Sequence, residues 1–194
     1  MKSYMKKWKG FLAEQNARGT IIAIFGASGC GKTRYKKMLK ALGWQEIKST
    51  VTRDPRSEED TEYDFVSDQE WQQLSTEDEL VNVNYYQGHH YGTKLGDFRA
   101  AKKAVMLTDF SSVDSLKTMA SREGKNLVIA YCTAPEAQEI IRRHKKRGTP
   151  ERIDVALEEI QEMDRMVSEQ IPDVFWLDSD EDLHELHKEY GGEE

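Results

Sequence analysis

A glycine-rich segment near the start of the chain has the residue types and the spacing that bind phosphate groups. Residues 26–33 are Gly-Ala-Ser-Gly-Cys-Gly-Lys-Thr and match the pattern G-x-x-x-x-G-K-[ST]. In such a loop the glycines let successive backbone N–H groups point inward at phosphate oxygens. Lys32 supplies a cation for the β- and γ-phosphates, and the hydroxyl of Thr33 is a ligand for Mg²⁺. The segment therefore predicts a nucleoside triphosphate site.

The residues on either side of this loop support that prediction. Residues 20–25, TIIAIF, form a short run rich in β-branched side chains, which is typical of a buried strand. The residues that follow the loop, RYKKMLKAL, have the spacing of a helix, and a helix that begins near Gly31 would direct its positive dipole end at the phosphates. A strand before the loop and a helix after it separate this motif from a chance glycine turn.

A second group of side chains has the chemistry to hold another phosphate. Arg53 and Arg56 flank Pro55, and two guanidinium groups at this spacing can bind one phosphate dianion through paired hydrogen bonds. The hydroxyl groups of Tyr63 and Tyr91 can add neutral donors. The spacing of the arginines alone also fits a solvated basic turn. The group predicts an acceptor phosphate site without identifying the acceptor.

A third group is the basic run RRHKKRGT at residues 142–149. Arg143 and Arg147 are four residues apart, so they would share one face of a helix. By itself, such a run is typical of a solvated basic helix face.

The hydrophobic pattern predicts the elements that must position these groups. Four more short apolar runs lie at residues 45–49, 104–109, 126–132 and 173–178, and helical patterns separate several of them. Alternating strands and helices predict an α/β fold with a central parallel sheet that is covered by helices on both faces. Residues from about 50 to 100 interrupt this alternation and are rich in acidic residues, tyrosine and glycine. That stretch predicts an inserted lobe of short strands.

Composition restricts the class of protein. The chain has 194 residues and a net charge of −7, which suits one domain and argues against a general nucleic-acid-binding surface. No run approaches the ~20 apolar residues of a membrane span, so no membrane partner is expected. Two cysteines are too few for a disulfide framework or a zinc site, which favours a reduced, cytoplasmic setting. Residues 1–18 are basic and have helical spacing, which predicts a separate N-terminal helix packed on the domain. A role at a membrane surface or with an acidic partner is the alternative interpretation of this segment.

Three motifs that follow the phosphate loop give the chain a family resemblance. They are S-x-x-T-R-x-P-R at residues 49–56, Y-x-F-V-S at residues 63–67 and Y-G-T at residues 91–93. With these motifs in this order, the sequence resembles the guanylate kinase family over nearly its whole length. The resemblance implies a P-loop kinase fold with a core at residues 19–49 and 100–194, a nucleoside-monophosphate-binding lobe at about residues 50–99 and a helical lid at about residues 142–156. It leaves the oligomeric state open.

The resemblance also implies a role for each matching residue. The ATP-binding residues would be Gly26, Ala27, Ser28, Gly29, Cys30, Gly31, Lys32, Thr33, Arg143, Arg147 and Asp178. The residues that hold the acceptor nucleotide would be Ser49, Arg53, Arg56, Tyr63, Asn82, Tyr91, Thr93 and Asp109. The catalytic cations would be Lys32, Arg53, Arg143 and Arg147. Thr33 would bind the Mg²⁺ ion that accompanies ATP, and the partners would be small-molecule nucleotides.

One departure from the family pattern bears on the substrate. Asn82 stands where the family has a glutamate that accepts hydrogen bonds from guanine, and an amide has one acceptor and two donors. The resemblance implies in-line phosphoryl transfer from ATP to GMP or dGMP, but Asn82 leaves open a different purine or a modified deoxynucleoside monophosphate. Two further alternatives are a kinase of a phosphorylated sugar, which Tyr63 and the Y-G-T motif disfavour, and a non-catalytic binding module, which the intact phosphate loop disfavours.

Replacing Lys32 with alanine tests the phosphate loop. We expect Lys32→Ala to keep its fold, because the side chain contacts phosphate rather than core. Turnover should fall by about 10²–10³-fold, as it does when one preorganised charge contact is removed. Steady-state kinase activity is the measurement, and circular dichroism is the control for folding. A folded variant with near-normal turnover would contradict the assignment.

Overall fold

The computed structural model describes residues 19–58, 60–146 and 148–191. The helix expected over residues 1–18 and the prediction for Arg147 lie outside the described residues. In chain order the strands are Thr20–Phe25 (β1), Gln45–Ile47 (β2), Ser49–Val51 (β3), Tyr63–Phe65 (β4), Leu80–Tyr86 (β5), His89–Lys94 (β6), Lys103–Leu107 (β7), Asn126–Cys132 (β8) and Phe175–Leu177 (β9). The α-helices are Lys32–Ala41 (α1), Asp68–Thr76 (α2), Leu95–Ala100 (α3), Val113–Glu123 (α4), Ala137–Lys146 (α5), Ile153–Gln170 (α6) and Asp180–Tyr190 (α7), and 3₁₀ turns lie at Phe110–Ser112 and Pro150–Arg152.

A five-stranded sheet forms the core of the protein. Its strand order is β2-β7-β1-β8-β9, and all neighbouring strands are parallel. Each of these strands arises from one of the five apolar runs of the sequence. The predicted α/β fold with a central parallel sheet is therefore confirmed.

Strand β1 is buried on both faces of this sheet. Ile21, Ala23 and Phe25 belong to one apolar cluster, whereas Ile22 and Ile24 belong to a second, and all five are 0% exposed. The first cluster contains buried residues of α3, α4 and α6, and the second contains buried residues of α1 and α7. Because successive side chains of a strand point to opposite faces, helices on both sides require an unbroken apolar run.

A second, four-stranded sheet carries the predicted acceptor motifs. Its strand order is β4-β3-β6-β5, in which β3 pairs in parallel with β4 and antiparallel with β6. The register places Ser49 opposite Thr93 and Val51 opposite Tyr91. The S-x-x-T-R and Y-G-T motifs, distant in sequence, are therefore adjacent in the sheet.

The apolar run at residues 45–49 is divided between the two sheets. Strand β2 ends at Ile47 and pairs with β7 in the core, whereas β3 begins at Ser49 and pairs in the second sheet. The expectation of one core strand over the whole run is corrected here, because only its first three residues pair with β7. Lys48 alone connects the two strands, so the second sheet begins one residue after the core strand β2 ends.

The carboxyl ends of the parallel strands bring the predicted site residues to one edge of the core sheet. The phosphate loop follows β1, Asp109 lies shortly after β7, and Asp178 follows β9. In open sheets of this kind, ligands bind outside the carboxyl ends of the strands. The topology therefore predicts a ligand site at this edge of the core sheet.

Gly92 tests how the second sheet is packed. A Cβ at this residue would lie 2.9 Å from Cη2 of the buried Trp71, on α2. We expect Gly92→Ala to displace the indole and to lower the free energy of unfolding by about 1–3 kcal/mol, the usual range for overpacking. Urea-induced unfolding measures this change.

Gly96→Ala is the matched control for that variant. A Cβ at Gly96 meets nothing within 4 Å, and the residue lies in α3, where alanine is favoured over glycine by up to about 1 kcal/mol. We expect Gly96→Ala to be neutral or stabilising. Equal losses of stability in the two variants would show that the contact with Trp71 is not the cause.

Candidate active site

The phosphate loop has a backbone conformation that its glycines make possible. Gly26, Gly29 and Gly31 have φ values of 147°, 86° and 128°, a region that residues with a Cβ rarely adopt. At Gly26 a Cβ would also lie 2.4 Å from the carbonyl oxygen of Cys132. The spacing of the glycines in the motif therefore follows from the backbone conformation of the loop.

Lys32 folds back across this loop. Its Nζ donates hydrogen bonds to the carbonyl oxygens of Gly26, at 2.6 Å, and Ala27, at 2.9 Å. Lys32 and Thr33 are the first two residues of α1, so the positive end of the helix dipole lies beside the ammonium group. The structure thus gathers the cation, the helix end and the loop backbone at one point.

Arg143 reaches the same loop from helix α5. Its Nη1 donates to the carbonyl oxygens of Gly29, at 2.8 Å, and Cys30, at 2.9 Å, while its Nε donates to Glu139 at 2.8 Å. Hydrogen bonds from Arg142, and to a lesser extent from Arg143, lower the pKa of Glu139 to about 2. The basic run is therefore more than a solvated helix face, because Arg143 is held against the phosphate loop.

Two residues that the sequence did not single out also contact the loop. His144 is buried, and its Nδ1 lies 3.1 Å from Oγ1 of Thr149 while its Nε2 lies 3.5 Å from the carbonyl oxygen of Ser28. Glu159, on α6, accepts a hydrogen bond of 3.3 Å from the backbone N–H of Ser28. Both contacts join distant parts of the chain, and neither has a local signal in the sequence.

The predicted acceptor residues meet around the guanidinium group of Arg53. This side chain lies over the ring of Tyr63, with 4.8 Å between Cζ and the ring centroid, and the rings of Tyr63 and Tyr91 are 6.1 Å apart. Arg53 is buried, and its Nη1 donates to Asp60 at 2.9 Å. Arg56 differs, because its side chain is exposed and its backbone N–H donates to Asp60 at 3.1 Å.

Asp60 is a further residue that the sequence reasoning missed. Partial burial raises the pKa of its carboxyl group, but hydrogen bonds from the side chain of Arg53 and the backbone of Arg56 outweigh burial and lower that pKa overall. The ionised carboxylate therefore holds Arg53 in place beside the two tyrosine rings.

A cluster of polar side chains lies where the second sheet meets the core. The carboxylate of Asp109 accepts hydrogen bonds from Asn84 Nδ2 at 2.7 Å, from the backbone N–H and hydroxyl of Ser112 at 3.0 and 2.9 Å, and from the hydroxyl of Ser111. Ser115 Oγ lies 2.6 Å from Oδ1 of Asn82. Strand β5 is therefore joined by hydrogen bonds to the segment that follows β7.

A buried lysine connects the phosphate-loop helix to the second sheet. Lys36, on α1, is 3% exposed and donates to the carboxylates of Glu46, on β2, and Glu62, the residue before β4. Burial disfavours the charged ammonium, but hydrogen bonds with the two carboxylates outweigh burial and raise the pKa of Lys36. This ion-pair group holds the segment that leads to Tyr63 against α1.

Comparison with known proteins identifies the family. The family model for guanylate kinase matches residues 18–185 of the chain. The chain belongs to the guanylate kinase family. It is 29% identical over 141 residues to the guanylate kinase of Lactobacillus johnsonii, which covers 68% of this chain and 67% of that protein. It is 30% identical over 140 residues to the guanylate kinase of Lactobacillus delbrueckii subsp. bulgaricus, with the same coverage.

A solved structure supports the same fold. The guanylate kinase of Anaplasma phagocytophilum matches 88% of this chain and 81% of its own, with a TM-score of 0.56 and 19% sequence identity. As a member of the guanylate kinase family, the protein is a nucleoside-monophosphate kinase that uses ATP as the phosphoryl donor. Within residues 19–58, 60–146 and 148–191, no helix is both long enough and apolar enough to cross a bilayer.

Asp178 stands apart from the other predicted ATP-binding residues of this guanylate kinase family member. Its side chain is exposed, and its backbone N–H donates to Asp182 at 3.0 Å as part of the cap of α7. The residue does lie at the carboxyl edge of the core sheet, one residue beyond β9. Its assignment to the adenine of ATP stays a prediction.

Replacing Arg53 tests the acceptor phosphate site. We expect Arg53→Ala to raise the KM for the nucleoside monophosphate by about 10-fold or more, because a hydrogen bond to a charged group contributes about 1.5–3 kcal/mol. The KM for ATP should change little, because Arg53 lies just beyond β3 of the second sheet and the phosphate loop follows β1 of the core sheet. Initial-rate kinetics with each substrate varied in turn measure both constants.

Arg99→Ala is the matched control, because this exposed arginine on α3 pairs with Glu123 on α4. We expect it to leave both constants unchanged. If Arg53→Ala raised the KM for ATP as much as the KM for the nucleoside monophosphate, the assignment of ATP to the core and of the acceptor to the second sheet would be wrong.

Proposed function

We propose that the protein transfers the γ-phosphoryl group of ATP to GMP or dGMP, forming GDP or dGDP. The observation that carries the choice of base is Oδ1 of Asn84, which is buried and accepts no hydrogen bond from any described residue. A buried acceptor without a partner is costly, and a base N–H group would satisfy it if rotation of the Asn84 amide exposed this oxygen when the base binds. Guanine offers such donors at its ring nitrogen and at its exocyclic amino group.

The chemistry that we assign to the chain is positioning and charge neutralisation. Residues 26–31 would surround the donor phosphates with backbone N–H groups, while Lys32 and Arg143 would neutralise charge on the transferring group. Arg147 would act with Arg143. Arg53, Tyr63 and Tyr91, joined by Arg56, would hold the acceptor phosphate. An in-line transfer between phosphates held in this way needs no covalent intermediate.

The hydroxyl oxygen of Thr33, at the start of α1, fits the ligand preference of Mg²⁺. This ion keeps several waters and binds through one or two protein oxygens together with substrate phosphates, so the hydroxyl of Thr33 is a suitable ligand. The described residues contain no group of three or more His, Cys, Asp or Glu side chains that could hold a metal ion. When bound, Mg²⁺ would supply positive charge to the β- and γ-phosphates.

Asp109 contributes to the base site mainly by positioning. A carboxylate has about four lone-pair sites, and Asn84, Ser111 and Ser112 together donate four hydrogen bonds to Asp109. A base amino group would have to displace one of these donors. We therefore assign Asp109 the role of fixing Asn84, with direct contact to guanine as its secondary role.

Asn82 can present either end of its amide to a base. Ser115 Oγ lies 2.6 Å from the Asn82 amide and 2.9 Å from the carbonyl oxygen of Ser112, yet a serine hydroxyl has only one proton. If that proton goes to Ser112, Oγ is free to accept from the amide nitrogen of Asn82, which leaves the amide oxygen for a guanine N–H. If the proton goes to Asn82, the amide nitrogen is left to face an acceptor on another purine.

Ser49 and Thr93 would complete the base site. They are paired across β3 and β6, and Thr93 is 1% exposed. Their hydroxyl groups can donate to the guanine oxygen or to a ring nitrogen. The net charge of −7 supports free nucleotides rather than nucleic acid as partners, and the two free thiols suit a cytoplasmic setting.

The base preference is tested by ADP release with a panel of nucleoside and deoxynucleoside monophosphates. We expect GMP and dGMP to be preferred over AMP by only about 10-fold, since a neutral hydrogen bond is worth ~1 kcal/mol and a charged one about 1.5–3 kcal/mol. Asn82→Glu should increase this ratio. Preference of the wild-type protein for AMP or a pyrimidine nucleotide would contradict the guanine assignment and leave the kinase assignment standing.

Ser115→Ala is the companion variant. It removes the hydroxyl that orients the Asn82 amide, so we expect the KM for GMP to rise while kcat and the KM for ATP stay close to the wild-type values. Thr118→Ala is its control, because the hydroxyl of the exposed Thr118, on α4, donates to the carbonyl oxygen of Asp114. An unchanged KM for GMP in Ser115→Ala would show that this serine does not orient the base site.

A further inference from the structure

The two cysteines of the chain meet inside the ATP site. Cys30 belongs to the phosphate loop, and Cys132 is the last residue of β8, the strand next to β1. Both are free thiols and both are buried, at 6% and 0% exposure. Nothing in the sequence places them together, because they are distant along the chain.

The geometry around the loop places the two thiols beside the same glycines. Each thiol is near enough to shift the pKa of the other. A Cβ built at Gly26 would lie 3.0 Å from Sγ of Cys30 and 2.4 Å from the carbonyl oxygen of Cys132, and one built at Gly31 would lie 3.9 Å from Sγ of Cys132. Both sulfurs therefore flank the same turn of the loop.

The surroundings favour the thiolate at Cys30 and the protonated thiol at Cys132. Lys32 Nζ lies 4.0 Å from Sγ of Cys30. The hydrogen bond with Cys132, followed by the charges of Lys32 and Arg143, lowers the pKa of Cys30. The same hydrogen bond, together with burial, raises the pKa of Cys132. A thiolate beside a second thiol is the arrangement found at sites of reversible oxidation.

We propose that Cys30 and Cys132 are a reversible oxidation site, at which hydrogen peroxide or a related peroxide converts the thiol pair to a disulfide and blocks ATP binding. The sulfur of Cys30 attacks one oxygen of the peroxide. The S–O bond forms, the O–O bond breaks, and the released hydroxide takes up a proton to become water. The product at Cys30 is a sulfenic acid.

The second step uses the neighbouring thiol. The sulfur of Cys132 attacks the sulfur of Cys30, the S–S bond forms and the S–O bond breaks. The leaving oxygen departs as a second water with the proton of Cys132. Over both steps the two sulfurs lose two electrons, which the peroxide gains, so no other reactant is needed. A thiol reductant reverses the change by exchange.

The consequence for the ATP site follows from the position of Cys30. Its carbonyl oxygen accepts a hydrogen bond from Arg143, and its residue lies between Gly29 and Gly31, which have positive φ. A disulfide requires Cα atoms within about 4.4–6.8 Å and a Cβ–S–S–Cβ angle near 90°. A disulfide would fix this residue of the loop to the end of β8, so the loop could no longer adjust its backbone N–H groups around the phosphates.

The experiment treats the purified protein with hydrogen peroxide, with and without ATP and Mg²⁺, and follows three quantities: kinase activity, binding of a fluorescent ATP analogue, and thiols that react after denaturation. We expect loss of most activity and of analogue binding, loss of both titratable thiols, and recovery of all three with dithiothreitol. Bound ATP should slow the loss. Analogue binding reports on the site whether or not the acceptor is GMP.

Cys132→Ala separates a disulfide from simple oxidation of Cys30. We expect this variant to bind the analogue before treatment and to lose binding with peroxide, but dithiothreitol should not restore it after prolonged exposure, because Cys30 without a partner proceeds to sulfinic acid. If Cys132→Ala does not fold, Cys132→Ser takes its place. Wild-type protein that keeps two titratable thiols after treatment, or a variant that recovers as the wild type does, would overturn the proposal.

Discussion

The rest of the site depends on the conformation of one loop at the end of a strand that is buried on both faces. Strand β1 is fixed by helices on either side, so the position of Gly26 is set by the core of the protein. The next residues turn through glycines with positive φ, and at Gly26 there is no space for a side chain against Cys132. Lys32 and Arg143 then bond to carbonyl oxygens of this loop. A rigid strand and a glycine-rich loop together determine where Lys32 and Arg143 lie.

Arg143 and Arg53 are both held by protein groups before any substrate is considered. Arg143 is fixed by Glu139 and the loop carbonyls, and Arg53 is fixed by Asp60 and the ring of Tyr63. Preorganisation of this kind is useful in phosphoryl transfer, because a cation that is already in place needs no reorganisation when charge develops. The buried group around Lys36 adds the corresponding restraint between the two sheets.

The two ends of the acceptor site differ in electrostatic character. The phosphate end has a charged arginine beside two tyrosines, and phosphate binding there benefits from full charges. The base end has amides and hydroxyls, with its one carboxylate, Asp109, engaged by Asn84 and two serines. Neutral groups contribute less per hydrogen bond and can exchange donor and acceptor roles. We therefore expect the proposed acceptor site to discriminate more strictly for the phosphate than for the base.

The sequence by itself determined the phosphate loop, the five strands of the core sheet and the order of the acceptor motifs, because each depends on local spacing or on short apolar runs. It did not separate β2 from β3, because one continuous apolar run contributes a strand to each sheet. Helix α6 was missed. The S-x-x-D cap at Ser179 was a local signal for the next helix, α7. Only the tertiary structure brought Asp60 to Arg53, Glu159 to Ser28 and Cys132 to Cys30. These pairs depend on how strands and helices pack across the sheet edge, and residues that meet only through packing leave no periodic or spaced pattern in the chain.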